Sequence, residues 1–196
     1  MQLFNKAYKH LDKQPNKRSA GVHLSLVYIS IIIFFIPLVI KLLQVKKIPG
    51  SVIPPEFNFG TILLVASSLL LLQCKSLIEN DKIKKLRLSL VSAFVLGLLF
   101  IFFQFEGWQH VYRSSAASEF KIIMVMVSVH AIHFAGAMFM LLMLLVPLFK
   151  LKSRAEVYIY FLKDSRTSAF RSNRSYWDFL GILWVVLYSI IILKSM

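Results

Sequence analysis

Two histidines, His130 and His133, sit inside a long apolar run, and they are the side chains best suited to chemistry in this sequence. Their i,i+3 spacing puts them on one side of a helix. Imidazoles there could hold a metal or a haem iron. A haem held by two imidazoles usually takes them from opposing helices, and His10, His23 and His110 fall at or beyond the ends of the apolar runs. The preferred reading is that both imidazoles bond to neighbouring helices, another subunit or lipid. Gly136 follows on the same face and would allow a close helix approach. Glu106, with Gln104, stands at the end of another apolar run. A carboxylate there could relay protons, but the ordinary expectation is a hydrated interface group. Asp178 follows Arg174 by four residues, a spacing that fits a local ion pair or a shared grip on a phospholipid headgroup, and the sequence leaves both open. Ser67 and Ser68 have no nearby sequence partner to activate them. No nucleophile–base pair, carboxylate dyad or Gly-rich phosphate loop is present, so the chain is expected to have no active site, metal or cofactor of its own.

The elements that position these residues follow from composition. Of the 196 residues 58% are hydrophobic and only 16% charged, yet the net charge is +14, from 23 Lys and Arg against 9 Asp and Glu. The apolar residues lie in unbroken blocks, which excludes soluble helices with a polar face and a disordered chain. A single cysteine, Cys74, excludes a disulfide framework. About 20 apolar residues span a bilayer core as a helix, and five stretches are long enough: Val22–Leu43, Phe57–Ile78, Leu86–Glu106, Ile122–Phe149 and Tyr176–Leu193. The blocks do not alternate as barrel strands would, so backbone satisfaction in lipid requires helices. The expected fold is all-α: a basic segment over residues 1–21, then one five-helix membrane domain over 22–196, with no cleavable signal peptide. Gln44–Glu56, with Pro49, Gly50, Pro54 and Pro55, reads as a stiff turn. Glu79–Lys85 reads as a tight polar hairpin, and Gly107–Lys121 as a connection. Lys150–Ser175 is a longer connection with room for a short surface helix over Ala155–Lys163.

The charge is distributed by side. Five spans put the N-terminal segment, the second-to-third connection and the fourth-to-fifth connection on one side, and 17 of the 23 basic residues lie there. The positive-inside rule places the N-terminus in the cytoplasm and the C-terminus outside. Basic residues that alternate with spans are topology signals first, with a contribution of about 1 kcal/mol each from nearby anionic lipid. A nucleic-acid patch would be gathered in one domain. Trp108, Trp177, Trp184, Tyr112 and Tyr176 read mostly as interface-belt residues, and the methionines of Met124–Met126 and Met138–Met143 as soft packing.

Four segments carry a resemblance to subunit III of the haem–copper oxidases. His130-Ala-Ile-His133-Phe-Ala-Gly136 resembles that family's H-G-L-H-V-x-G signature. Asn58-Phe-Gly-Thr61 through Ser67-Ser68 resembles its N-T-x-x-L-x-x-S-S helix, and Gly97 through Phe100 to Gln104, then Glu106 and Trp108, its G-x-x-F-x-x-x-Q helix end. Ser175-Tyr176-Trp177-Asp178-Phe179, then Trp184, is similar to its closing Y-W-H-F-x-D-x-x-W helix. The four come in the family's order and cover most of the chain from about Val22. The chain departs from the pattern where Ile31 stands for a first-helix Glu, Asp178 for a His and Gly181 for an Asp, and Gly107 shifts the spacing after Gln104. Any role of that Glu is therefore not carried over. The resemblance implies a non-catalytic subunit of a bacterial terminal oxidase in the cytoplasmic (inner) membrane. It would pack on subunit I, which carries the haem and copper, bind phospholipid, and support proton uptake and oxygen access. The electron donor would be cytochrome c or quinol. Lipid or subunit contacts would involve His130, His133, Arg174, Trp177 and Asp178, with Glu106 an interface carboxylate. The alternatives are an accessory subunit of nitric oxide reductase and, from another class, a small transporter.

Overall fold

A computed structural model describes residues 17–44, 53–80, 82–114, 118–151, 154–162 and 164–196. These form α1 (Lys17–Gln44), α2 (Glu56–Glu79), α3 (Ile83–Ser114), α4 (Ser118–Lys150), α5 (Arg154–Leu162) and α6 (Asp164–Ser195). There is no strand among the described residues. All but α5 are long and apolar enough to cross a membrane, so the chain is a multi-pass, all-α membrane protein. The expected basic segment before residue 17, the turn at Pro49 and Gly50, and Lys152 and Lys163 lie outside the described residues.

The inward positions of the two central helices repeat with the heptad spacing of a left-handed coiled coil. On α2 they are Phe57, Gly60, Leu64, Ser67, Leu71 and Cys74. On α3 the series Leu86, Leu90, Ala93, Gly97, Phe100, Gln104, Gly107 and Val111 alternates steps of four and three in the same way. Much of this seam is small or weakly polar, as expected where lipid competes equally well for large apolar side chains and close approach drives association. The large apolar residues of α3 that face outward, such as Leu88, Phe102 and Phe105, remain exposed in the isolated chain. α2 and α3 form an antiparallel hairpin, α4 packs on α3, α6 closes against α4 and α2, and α1 lies outside against α4 and α6.

Local sequence explains the ends of α2. Pro54 and Pro55 precede its first turn, where a preset φ suits helix entry, and their carbonyls accept from Phe57 N at 3.2 Å and Asn58 N at 3.0 Å. At the other end the Asn80 backbone and side-chain amides both donate to the Ser76 carbonyl, at 3.0 and 2.8 Å. Lys82 N then bonds back to Leu77 O at 2.9 Å.

Two expected connections are corrected. The third span does not stop at Glu106: α3 continues through Gly107 to Ser114, because Gly107 faces inward against Phe57 and serves packing there. Residues 115–117, the centre of the small-residue connection, are outside the described set. The surface helix expected over Ala155–Lys163 is found as α5, but α6 then begins at Asp164, so Arg174, Tyr176 and Asp178 are mid-helix. The polar first turns of α6 carry Phe170 and Asn173 on the inner side, both buried, and this periodicity keeps the segment helical.

Candidate functional site: a lock of rings and small residues

Trp177 and Trp184 occupy the middle of the bundle at 0% and 1% exposure, which overturns their assignment to an interface belt. The reason lies in their polar edge. An indole N–H is buried comfortably only where it finds an acceptor, and α2 supplies two. Trp177 Nε1 donates to Ser67 Oγ at 3.1 Å and Trp184 Nε1 to Thr61 Oγ1 at 2.9 Å. Ser67 and Thr61 pass their own protons back along α2, to Leu64 O at 2.7 Å and Phe57 O at 2.7 Å. One further turn along, the Tyr188 hydroxyl donates to Asn58 Oδ1 at 2.7 Å. Three rungs thus join α6 to α2.

Glycines let the rings close up. A Cβ on Gly97 would lie 2.8 Å from Trp177 Cη2 and 2.5 Å from Met138 Sδ, and one on Gly107 would lie 2.3 Å from Phe57 Cε1. Phe57 packs edge-on to Trp184 with centroids 5.4 Å apart. Phe100 packs on Phe134 at 4.6 Å and on Trp184 at 5.8 Å, and Phe134 on Trp177 at 4.7 Å.

The two α4 histidines part company. His130 is fully buried among Phe100, Phe134 and Trp184, with the Trp184 ring at 5.2 Å. His133 is half-buried toward α1, with Phe35 at 6.4 Å, and its Nδ1 is 2.7 Å from the Val129 carbonyl of its own helix. The i,i+3 spacing separates them by a sixth of a turn, enough on a helix packed on two sides to give them different neighbours. Among the described residues no three His, Cys, Asp or Glu side chains cluster to hold a metal ion. Gly136 is exposed with nothing within 4 Å of its would-be Cβ among the described residues, so no described helix approaches it closely.

Asp178 and Arg174 form the i,i+4 ion pair, 3.6 Å apart, with side chains 37% and 26% exposed. Asp178 lines a cleft of about 440 Å³ between α2 and α6, whose other lining residues include Leu64, Ser68, Gly181 and Val185. Because the pair is partly solvated, Asp178→Asn should lower stability by no more than about 1 kcal/mol. A thermal melt of the purified chain in detergent checks this, and a much larger loss would show that the pair holds the bundle together.

Glu106 lies inside α3, half-buried, in a cleft of about 290 Å³ with Glu56, Gln109, His110 and Arg113. There Glu56 stands 3.9 Å from His110 and Arg113 donates to Gln109 at 2.9 Å.

Asn58, Thr61 and Ser67 stand out in the sequence only through the family-like segment, and no local spacing reveals their hydrogen bonds to α6 or singles out Tyr188 and Tyr28. Tyr28 donates to Ser175 at 3.0 Å and packs at a tilt on Phe179 with centroids 4.7 Å apart, tying α1 to α6. The fold and site define a membrane bundle of five candidate spans, locked by buried rings and small residues on four of its helices. Among known proteins, no family model matches this chain and no curated protein matches it.

Proposed function

We propose that this chain is a subunit III-like, non-catalytic subunit of a bacterial haem–copper terminal oxidase, with its N-terminus in the cytoplasm and its C-terminus outside. One observation carries the reading. Each of the four segments that resemble the family's motifs contributes residues to the lock: Asn58, Thr61 and Ser67 on α2, Gly97, Phe100 and Gln104 on α3, His130 and Phe134 on α4, Trp177 and Trp184 on α6. Motifs that matched by chance would have no reason to fall on mutually touching inner faces. In this reading haem and copper belong to the partner subunit I, and this chain's role is to stabilise it and to support proton uptake and oxygen access. The α2–α6 cleft, apolar along its length with the Arg174–Asp178 pair beside its end, suits a phospholipid chain and headgroup. The exposed Gly136 and Ala135 of α4 suit the close approach of a partner helix.

Purification of the tagged chain from its native membrane in mild detergent tests the proposal. Haem- and copper-bearing subunits should co-purify with it and the preparation should reduce oxygen. A colourless preparation without those subunits would sink the idea. Gly136→Leu should leave the chain folded, since none of the described residues occupies that space, but should cut recovery of the haem-bearing partner about tenfold, the equivalent of about 1.4 kcal/mol. Unchanged recovery would move the docking face elsewhere.

A further inference from the structure

Gln104 and His130 are 2% and 0% exposed, yet Gln104 Nε2 and Oε1 and His130 Nδ1 and Nε2 all lack a hydrogen-bond partner among the described residues. Such atoms are rare in folded proteins, and each calls for a physical account. Both side chains are buried inward on helices apolar enough to cross a membrane, and hydrocarbon offers no bonds.

The two belong to one neighbourhood. Gln104 follows Phe100 by one turn on the inner side of α3, and the Phe100 ring meets His130 edge-on at 6.1 Å. On α2, the point where a Gly60 Cβ would stand is 3.5 Å from both Gln104 Nε2 and Phe100 Cδ2. Thr61, next to Gly60, holds Trp184, whose ring is 5.2 Å from His130. Gly60, Thr61, Trp184, His130, Phe100 and Gln104 therefore form a closed circuit across α2, α3, α4 and α6. Around that circuit the rings supply walls and the amide and imidazole supply unused bonds. A carboxamide offers two donors and an acceptor, and a neutral imidazole one of each. Both kinds of bond are those that water accepts and donates, and polar enclosed sites with two or more such groups are where proteins keep internal water.

We infer that Gln104 and His130 are the polar walls of an internal hydration site, which holds ordered water within the hydrocarbon depth of the bundle. A Cβ at Gly60 would meet Gln104 Nε2 at an ordinary contact distance of 3.5 Å, so the glycine leaves the amide without a side chain of α2 pressed against it. This inference concerns the isolated chain's own core and does not rest on the oxidase reading.

The test is water-edited solid-state NMR on the full-length chain in bilayers of deuterated lipid, with ¹⁵N-labelled histidine and glutamine. Magnetisation from water should reach the His130 ring nitrogens, and Gln104→Leu should abolish or strongly reduce it while transfer to His110 at the helix end persists. Absence of transfer to His130 in the unmodified chain, with His110 visible, would overturn the inference and needs no variant to fold. Undiminished transfer to His130 in folded Gln104→Leu would also overturn it, because the two side chains would then not share a site. Direct ¹⁵N–¹⁵N contacts between the Gln104 amide and the His130 ring, without water transfer, would replace it by a direct bond.

Discussion

Gly107→Val is expected to cost about 3 kcal/mol, at the top of the usual range for overpacking, and to prevent the folded chain from accumulating. The reasoning starts from distance. A Cβ at this position would stand 2.3 Å from Phe57 Cε1 and 2.7 Å from Cδ1, so even alanine forces the ring to move. Phe57 has nowhere to go: it is 0% exposed and held edge-on by Trp184 at 5.4 Å and Tyr188 at 6.1 Å. Those two residues carry two of the three hydrogen-bonded rungs between α6 and α2. A displaced Phe57 therefore disturbs both the α2–α3 seam and the α2–α6 ladder. For a protein whose net stability is about 5–15 kcal/mol, a loss of this size in a bundle still to be assembled should reach the level of expression. Thermal melting in detergent and the yield of monodisperse chain measure it. Gly136→Ala is the matched control, with nothing within 4 Å, and should melt at or slightly above the unmodified chain because alanine is the better helix former. Equal behaviour of the two glycine variants would refute the close approach at Gly107.

The contrast between those glycines shows what the sequence could convey. The existence of five spans was legible, because unbroken apolar blocks have only one backbone solution in lipid. Their ends were less so. Gly107–Lys121 reads as a connection, whereas the glycine faces Phe57 and α3 runs on to Ser114. Facing was the least legible property. In a soluble helix polarity marks the outside, but here Leu88, Phe102 and Phe105 are exposed while Ser67, Gln104, His130 and Asn173 are buried. Hydropathy cannot separate the sides of a helix whose outward face is greasy, and the informative signal is the seven-residue spacing of Gly60, Ser67 and Cys74 against that of Leu90, Gly97 and Gln104. Residue type alone points Trp177 and Trp184 to an interface belt. Only the spatial partnership with Ser67 and Thr61, more than a hundred positions away in sequence, places them at the centre. The Arg174–Asp178 pair was readable because its partner is local, whereas the split environments of His130 and His133 depend on α1, α3 and α6 together.

Trp177→Ala should destabilise the bundle by about 3–5 kcal/mol, the range for removing a buried aromatic side chain, whereas Trp177→Phe should cost only about 1 kcal/mol. The two substitutions separate two contributions. In water much of an indole's value is its removal from solvent, but in a bilayer the unassembled helices already sit in hydrocarbon, so packing itself must supply the energy. Trp177 fills space between four helices: it touches Phe134 at 4.7 Å and lies against the flat surface left by Gly97, and its Nε1 reaches Ser67. Alanine empties all of that volume, and a rigid bundle recovers only part of it. Phenylalanine keeps most of the ring and loses the bond. Ser67 Oγ is then not left stranded, because its proton still goes to Leu64 O at 2.7 Å. The remaining loss is one neutral hydrogen bond, about 1 kcal/mol in water and about 0.6 kcal/mol between membrane helices. A double-mutant cycle with Ser67→Ala isolates it: Trp177→Phe and Ser67→Ala should show a coupling of that size and no more. Reversible unfolding in mixed detergent reads all four species. If Trp177→Phe were as damaging as Trp177→Ala, the hydrogen bond and not the packed ring would be the fastening, and the glycine at 97 would have to be explained by some other contact than this one.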